Sequence, residues 1–182
     1  MGGLKRKAAL MALLVLLALL GLPSHELEAA PANRVALVIG NDAYRYGGEL
    51  NHAVSDAQKV GTALKALGFQ VISKQDLDYG GLLDALDQLG KAAVGADWVV
   101  VYYAGHGIQV QGKNHLIPVD VKLNRTGDLR RTVLLDDVLT EVNQARELGL
   151  VVLDACRDNP FAARLNQGTG RSLVGRGLTR VG

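Results

Sequence analysis

A chain of 182 residues, 48% apolar and 21% charged, has the length of one domain and the composition of a globular protein. Lys and Arg number 20 against 18 Asp and Glu, and past residue 32 the balance is 17 to 16 with no basic run interleaved with aromatics; this excludes the electrostatic footprint of a nucleic-acid binder. A single cysteine, Cys156, excludes an intramolecular disulfide and any zinc site built on paired cysteines.

The chain opens on an address. Lys5-Arg6-Lys7 precedes Ala8–Leu22, fifteen residues without a charge or a strongly polar group, and at ~1.5 Å per residue this run is short for a bilayer core of about 30 Å. Pro23 and Ser24 end it, and Ala30-Pro31-Ala32 offers a cleavage site before Asn33. The reading is a signal peptide over residues 1–32 and export, to the periplasm or beyond. Retention of residues 8–22 as a membrane tether is the alternative.

From Arg34 short apolar runs alternate with helical periodicity. Val35–Ile39 reads as a buried strand closed by Gly40-Asn41. Tyr44 to Gly48 is a loop, and Asp42, Tyr44, Arg45 and Tyr46 either border a cleft or are simply polar loop residues. Asn51–Leu67 carries an apolar stripe at Val54, Ala57, Val60, Ala63, Leu64 and Leu67, capped by Gly68. Phe69–Ser73 is a second strand, and Leu82, Leu83, Leu86 and Leu89 mark a second helix ending near Gly90. Trp98–Ala104 is the strongest strand, dense in β-branched and aromatic residues. Ile108–Ile117 fits a hairpin around Gly112-Lys113-Asn114, Val133–Glu147 a third helix and Leu150–Leu153 a fourth strand. The alternation is that of an α/β fold, and strands apolar on both faces imply a mostly parallel sheet with helices on each side. Sites in such folds form beyond the carboxyl ends of the strands.

Two residues stand at those ends. His106, between Gly105 and Gly107, follows the third strand, and Cys156 follows the fourth amid Asp154, Arg157 and Asp158. The flanking glycines leave His106 little expected cover. If the two strands are neighbours, their ends lie about 4.8 Å apart. A histidine beside a thiol then makes a base–nucleophile pair, with the amides of Gly107 and Cys156 as candidate oxyanion donors. The plain alternatives are a loop histidine and a small buried cysteine.

RVALVIGN (34–41), Leu50–Leu67 with Asp56, YYAGHG (102–107), LIPVD (116–120) and DACRDNPF (154–161) resemble the caspase-like superfamily of cysteine peptidases, in particular its bacterial metacaspase- and paracaspase-like members. His106 lies fifty residues before Cys156, a spacing also found in animal caspases. The resemblance implies a three-layer α/β/α sandwich over residues 33–165, a His106/Cys156 dyad, and an endopeptidase acting on polypeptides. It also implies that Asp56 and Asp154 line the pocket for the substrate side chain preceding the cut, so that cleavage follows Arg in preference to Lys. Asp154 lies two residues before Cys156, on the same side of an extended chain. For Asp56 a solvated helix position is the alternative. The glutamine of the animal signature is replaced by Asp154, so cleavage after aspartate is not implied. Family domains continue into a smaller portion with further strands, whereas here a Gly-rich stretch, residues 166–182, closes the sequence; a sheet truncated after its fourth core strand is expected.

No cofactor is implied, with calcium dependence left open. His52, His106 and His115 have no spacing that gathers them, and no metal site is expected. Gly40-Asn41 carries no phosphate-loop pattern. Two other functions compete: a catalytically inactive caspase-like interaction module, and a thiol-redox protein, the latter weakened by the lack of a resolving cysteine.

Overall fold

A strand with no polar face has to be covered on both sides, and the run Val35–Ile39 determines the architecture in this way. A computed structural model describes residues 32–155 together with Phe161 and Leu165. In it β1 (Arg34–Gly40) lies inside a parallel sheet of order β2-β1-β3-β7, with β2 over Gln70–Gln75, β3 over Trp98–Gly105 and β7 over Leu148–Ala155. Side chains alternate across the sheet. Val35, Leu37, Ile39, Val99, Val101 and Tyr103 pack under α2 (Tyr79–Ala93) and α3 (Leu135–Val142). Ala36, Val38, Val100, Tyr102 and Ala104 pack under α1 (Ala53–Ala66). The three layers and the four-stranded parallel core are those expected from the sequence.

A second, smaller sheet of order β4-β5-β6 (Gly107–Val110, Lys113–Leu116, Val133–Leu134) stands beyond the carboxyl end of β3. Ile108, Val110, Ile117, Val119, Val121 and Leu123 form a separate apolar cluster there, with Tyr44 and Phe161. The turn of the hairpin is Gln111-Gly112, one residue earlier than the sequence suggested. Both have positive φ (50° and 81°), which a two-residue turn matching the strand twist requires.

The third helix is shorter than its periodicity. Of the run Val133–Glu147, Val133 and Leu134 pair with β5, and a 3₁₀ turn (Thr126–Arg131) precedes them. The helix starts only where Asp136 and Asp137 meet its N-terminal dipole and is capped at Asn143. β7 departs from the two-sided rule as well: Leu148, Leu150 and Val152, on the α1 face, stay about two-fifths exposed, because α1 packs over β1, β2 and β3. All of the segment read as a signal peptide but its last residue, and the Gly-rich tail, lie outside the described residues. No helix among the described residues is long and apolar enough to cross a membrane.

The contact of β1 with α1 tolerates no side chain at Gly40. A Cβ there would sit 2.5 Å from the carbonyl oxygen of Ala53 and 2.7 Å from Cα of Val54, both backbone atoms. Gly40→Ala is therefore expected to destabilise the fold by about 1–3 kcal/mol, as overpacking does. A lower urea midpoint at unchanged slope is the reading that checks it.

Candidate active site

The site starts from the loop after β1, residues 41–52. The Asp42 carboxylate accepts the backbone N–H groups of Ala53 (2.8 Å) and Val54 (3.1 Å), satisfying the exposed donors at the start of α1. Asp76, in the left-handed region (φ 49°), accepts from the N–H groups of Asp42 and Ala43. Asn41 donates its own N–H to the Ala104 carbonyl. The loop is thus anchored to α1, β2 and β3, and it carries Tyr44 and Gly48 toward the end of β3.

There they meet His106. The histidine is 5% exposed rather than thinly covered, and the flanking glycines explain why. Gly105 makes room for two phenols: a Cβ on it would lie 2.6 Å from Tyr44 Oη and 2.8 Å from Tyr103 Oη. The His106 N–H donates to Tyr44 Oη (2.8 Å), and its carbonyl accepts from Tyr103 Oη (2.8 Å) and the Ile117 N–H (3.1 Å). The imidazole packs 4.3 Å from the Tyr44 ring and edge-on to Phe161 at 5.8 Å. Its Nε2 lies 3.0 Å from the Gly48 carbonyl. A carbonyl can only accept, so Nε2 holds the ring proton and Nδ1 is the basic nitrogen. Burial lowers the pKa of this histidine, and the Gly48 carbonyl opposes that shift by favouring the charged ring.

Gly107 opens β4. Counting back from the two-residue turn, antiparallel alternation puts Val110–Lys113 and Ile108–His115 at hydrogen-bonded pairs and Gly107–Leu116 at a non-bonded one. The Gly107 N–H is therefore not used by the ladder with β5.

A cleft of about 150 Å³ opens beside Gly105, and Asp56 and Asp154 both line it, with Leu50 and His52. The two carboxylates singled out in the sequence are brought together. Tyr102 Oη donates to Asp154 Oδ2 at 2.9 Å, reaching diagonally from β3 to β7, where Ala104 pairs with Asp154. Burial, and then Asp154, push the Tyr102 phenol well above its usual pKa, so it remains a donor. Asp56 holds Lys59 at 2.8 Å, a hydrogen bond that lowers its pKa, but the pair is exposed and available for exchange with another cation. Beyond lining that cleft, His52 is not gathered with His106 or His115: His115 Nδ1 bonds Thr132 Oγ1 in the small sheet. Cys156 lies outside the described residues, one position past the end of β7.

Three tyrosines escaped the sequence reading. Tyr44 is expected from sequence only as part of a loop that is polar or borders a cleft, yet it is 4% exposed and touches His106. Tyr102 and Tyr103 enter the sequence argument as strand formers and as letters of the YYAGHG motif, with no role of their own. The available signal was that buried phenols need hydrogen-bond partners, and successive ones on a strand need them on opposite faces.

The caspase-domain family profile matches residues 33–174. Human mucosa-associated lymphoid tissue lymphoma translocation protein 1 is 32% identical over 131 residues, 69% of this chain and 15% of that protein. The paracaspase of Dictyostelium discoideum is 27% identical over 139 residues, 72% of this chain and 33% of that protein. This chain thus spans a minor part of the length of both relatives. The crystal structure of protein GSU0716 from Geobacter sulfurreducens aligns over 68% of this chain and 50% of its own, with a TM-score of 0.54 at 23% identity, a likeness of fold. A profile covering most of the chain, paracaspase relatives and a parallel sheet with a histidine at the end of its third strand agree: the chain belongs to the caspase-domain family of cysteine peptidases.

Proposed function

We propose that the protein is a cysteine endopeptidase that cuts polypeptides after basic residues, Arg before Lys, through His106 and Cys156. The observation that carries this reading is the register of β3 on β7, in which Gly105 pairs with Ala155. The residues that follow that pair are His106 and Cys156. In the reaction the Cys156 thiol gives its proton to His106 Nδ1, and the thiolate sulfur attacks the scissile carbonyl carbon. The Gly48 carbonyl faces Nε2–H and stabilises the imidazolium that forms. The Gly107 and Cys156 amides receive the developing oxyanion. His106 then passes its proton to the leaving amine, and water, deprotonated by the same nitrogen, releases the acyl group and restores the thiol. Asp56 and Asp154 meet the substrate cation in the cleft.

Turnover of arginyl, lysyl and aspartyl fluorogenic peptides by the full chain tests this. Cleavage of the arginyl peptide supports it; a chain that cleaves none and whose Cys156 is unreactive is an inactive caspase-like module instead. For an exported enzyme, N-terminal sequencing of the secreted product is expected to begin near Asn33. Met1 retained on a membrane fraction would favour the tether.

Tyr102 fixes one oxygen of Asp154, so its loss frees the carboxylate to rotate. Tyr102→Phe is expected to lower kcat/KM on arginyl peptides about fivefold, in line with one hydrogen bond of ~1 kcal/mol. Alkylation of Cys156 by iodoacetamide should be unchanged. Equal loss in both assays would show a general fold defect instead.

A further inference from the structure

His106 is gripped by its backbone as well as by its ring. Tyr44 Oη accepts the His106 N–H, and Tyr103 Oη contacts the His106 carbonyl at 2.8 Å. Both phenols also reach the Ile117 carbonyl, at 3.2 Å from Tyr44 and 3.1 Å from Tyr103, and they lie 3.3 Å from each other. With one proton each, a consistent distribution has Tyr103 donating to His106 O and Tyr44 donating to Ile117 O, leaving the Tyr44 oxygen to accept from His106 N–H. We propose that Tyr44 is a positioning residue for His106, working with Tyr103 as a pair of buried phenols that clamp its backbone and set its ring against the Gly48 carbonyl. The inference rests on the reading of His106 as the catalytic base.

The two phenols are not equivalent. Tyr44 supplies the acceptor for the His106 N–H, its ring lies 4.3 Å from the imidazole, and its loop presents Gly48 to Nε2 four residues on. It therefore sets the backbone, the ring plane and the tautomer together. The His106 carbonyl, by contrast, accepts from the Ile117 N–H as well as from Tyr103. Removing the Tyr103 hydroxyl leaves that carbonyl satisfied; removing the Tyr44 hydroxyl leaves a buried N–H without its acceptor. Burial runs the other way, with Tyr103 fully buried and Tyr44 at 4%. A role confined to packing would thus rank Tyr103 as the more sensitive position. Tyr44, on the β1–α1 loop, and Tyr103, on β3, are titratable groups bonded to His106. Burial keeps both neutral, with Tyr44 pushed up to about 12. Neither brings a charge to the imidazole at working pH.

The test compares Tyr44→Phe, Tyr103→Phe, Tyr44→Ala and, as a control on the same loop, Tyr46→Phe, each checked for folding by circular dichroism. Tyr44→Phe is expected to lower kcat about tenfold on an arginyl peptide with KM within about twofold, and Tyr103→Phe to lower kcat no more than about threefold. Tyr46→Phe, an exposed ring, should match wild type. NMR titration of the imidazole nitrogens, which needs no turnover, should show the His106 midpoint rising toward ~6.5 in Tyr44→Ala as water reaches the ring. Wild-type kcat in Tyr44→Phe, or Tyr103→Phe as the more damaging of the two, overturns the proposal, and so does an unmoved His106 midpoint in Tyr44→Ala. Alkylation of Cys156 that is indifferent to His106→Ala would sink the base assignment instead. The imidazole titration then decides the clamp by itself.

Discussion

Cys156→Ala is expected to lower kcat/KM on an arginyl peptide by at least ~10³-fold, and His106→Ala by a comparable amount. The double variant should be little worse than either, because a nucleophile without its base and a base without its nucleophile are both idle. The structure gives the histidine its part of this effect. Burial keeps the imidazole neutral, and the Gly48 carbonyl holds the proton on Nε2, so that Nδ1 is free to accept one. His106→Ala also removes the ring that packs on Tyr44 and Phe161. His106→Gln, a polar side chain closer in size, is the companion variant, and it should be as inactive. Steady-state kinetics on folded variants check this. Activity near wild type in Cys156→Ala would remove the nucleophile assignment altogether.

The second large effect is on specificity. A guanidinium meets a carboxylate with two parallel hydrogen bonds, whereas an ammonium offers a point charge, so Arg should exceed Lys at the residue before the cut. Asp should be rejected by Asp56 and Asp154 together. Leaving one partner of a desolvated ion pair alone costs about 3–5 kcal/mol. Asp154 is open to solvent before substrate arrives, and Asp56 remains after its removal, so the lower end applies. Asp154→Ala is therefore expected to depress cleavage of arginyl peptides about 10²-fold, with alkylation of Cys156 spared. Rates on arginyl, lysyl and aspartyl peptides, for wild type and variant, are the measurement. Faster cleavage of the aspartyl peptide by wild type would overturn the acidic pocket.

Much of this frame was legible in the residues. VALVIG and WVVVYYAG are apolar at nearly every position, and only a strand covered on both faces tolerates that. Their order along the chain, with helical stripes between, left a parallel sheet as the economical topology, and the YYAGHG and DACR segments then fell at adjacent strand ends. What could not be read was set by distant contacts. Val133 and Leu134 continue a helical period but pair with β5, a partner about eighteen residues away that local periodicity does not report. Leu148, Leu150 and Val152 look like core and stay partly exposed, because how far α1 reaches across the sheet is a matter of packing. The cover on His106 was invisible for a similar reason. It comes from Tyr44, sixty-two residues earlier, on a loop whose shape depends on Asp42 and Asp76.

The most direct test of the central claim is covalent capture of Cys156. A peptidyl-arginine electrophile is expected to label the wild-type chain at Cys156, as read by peptide mass mapping, with labelling lost in His106→Ala and weakened in Asp154→Ala. Equal labelling of wild type and His106→Ala, or a matching aspartyl electrophile reacting as fast as the arginyl one, would contradict a His106-activated thiol behind an acidic pocket.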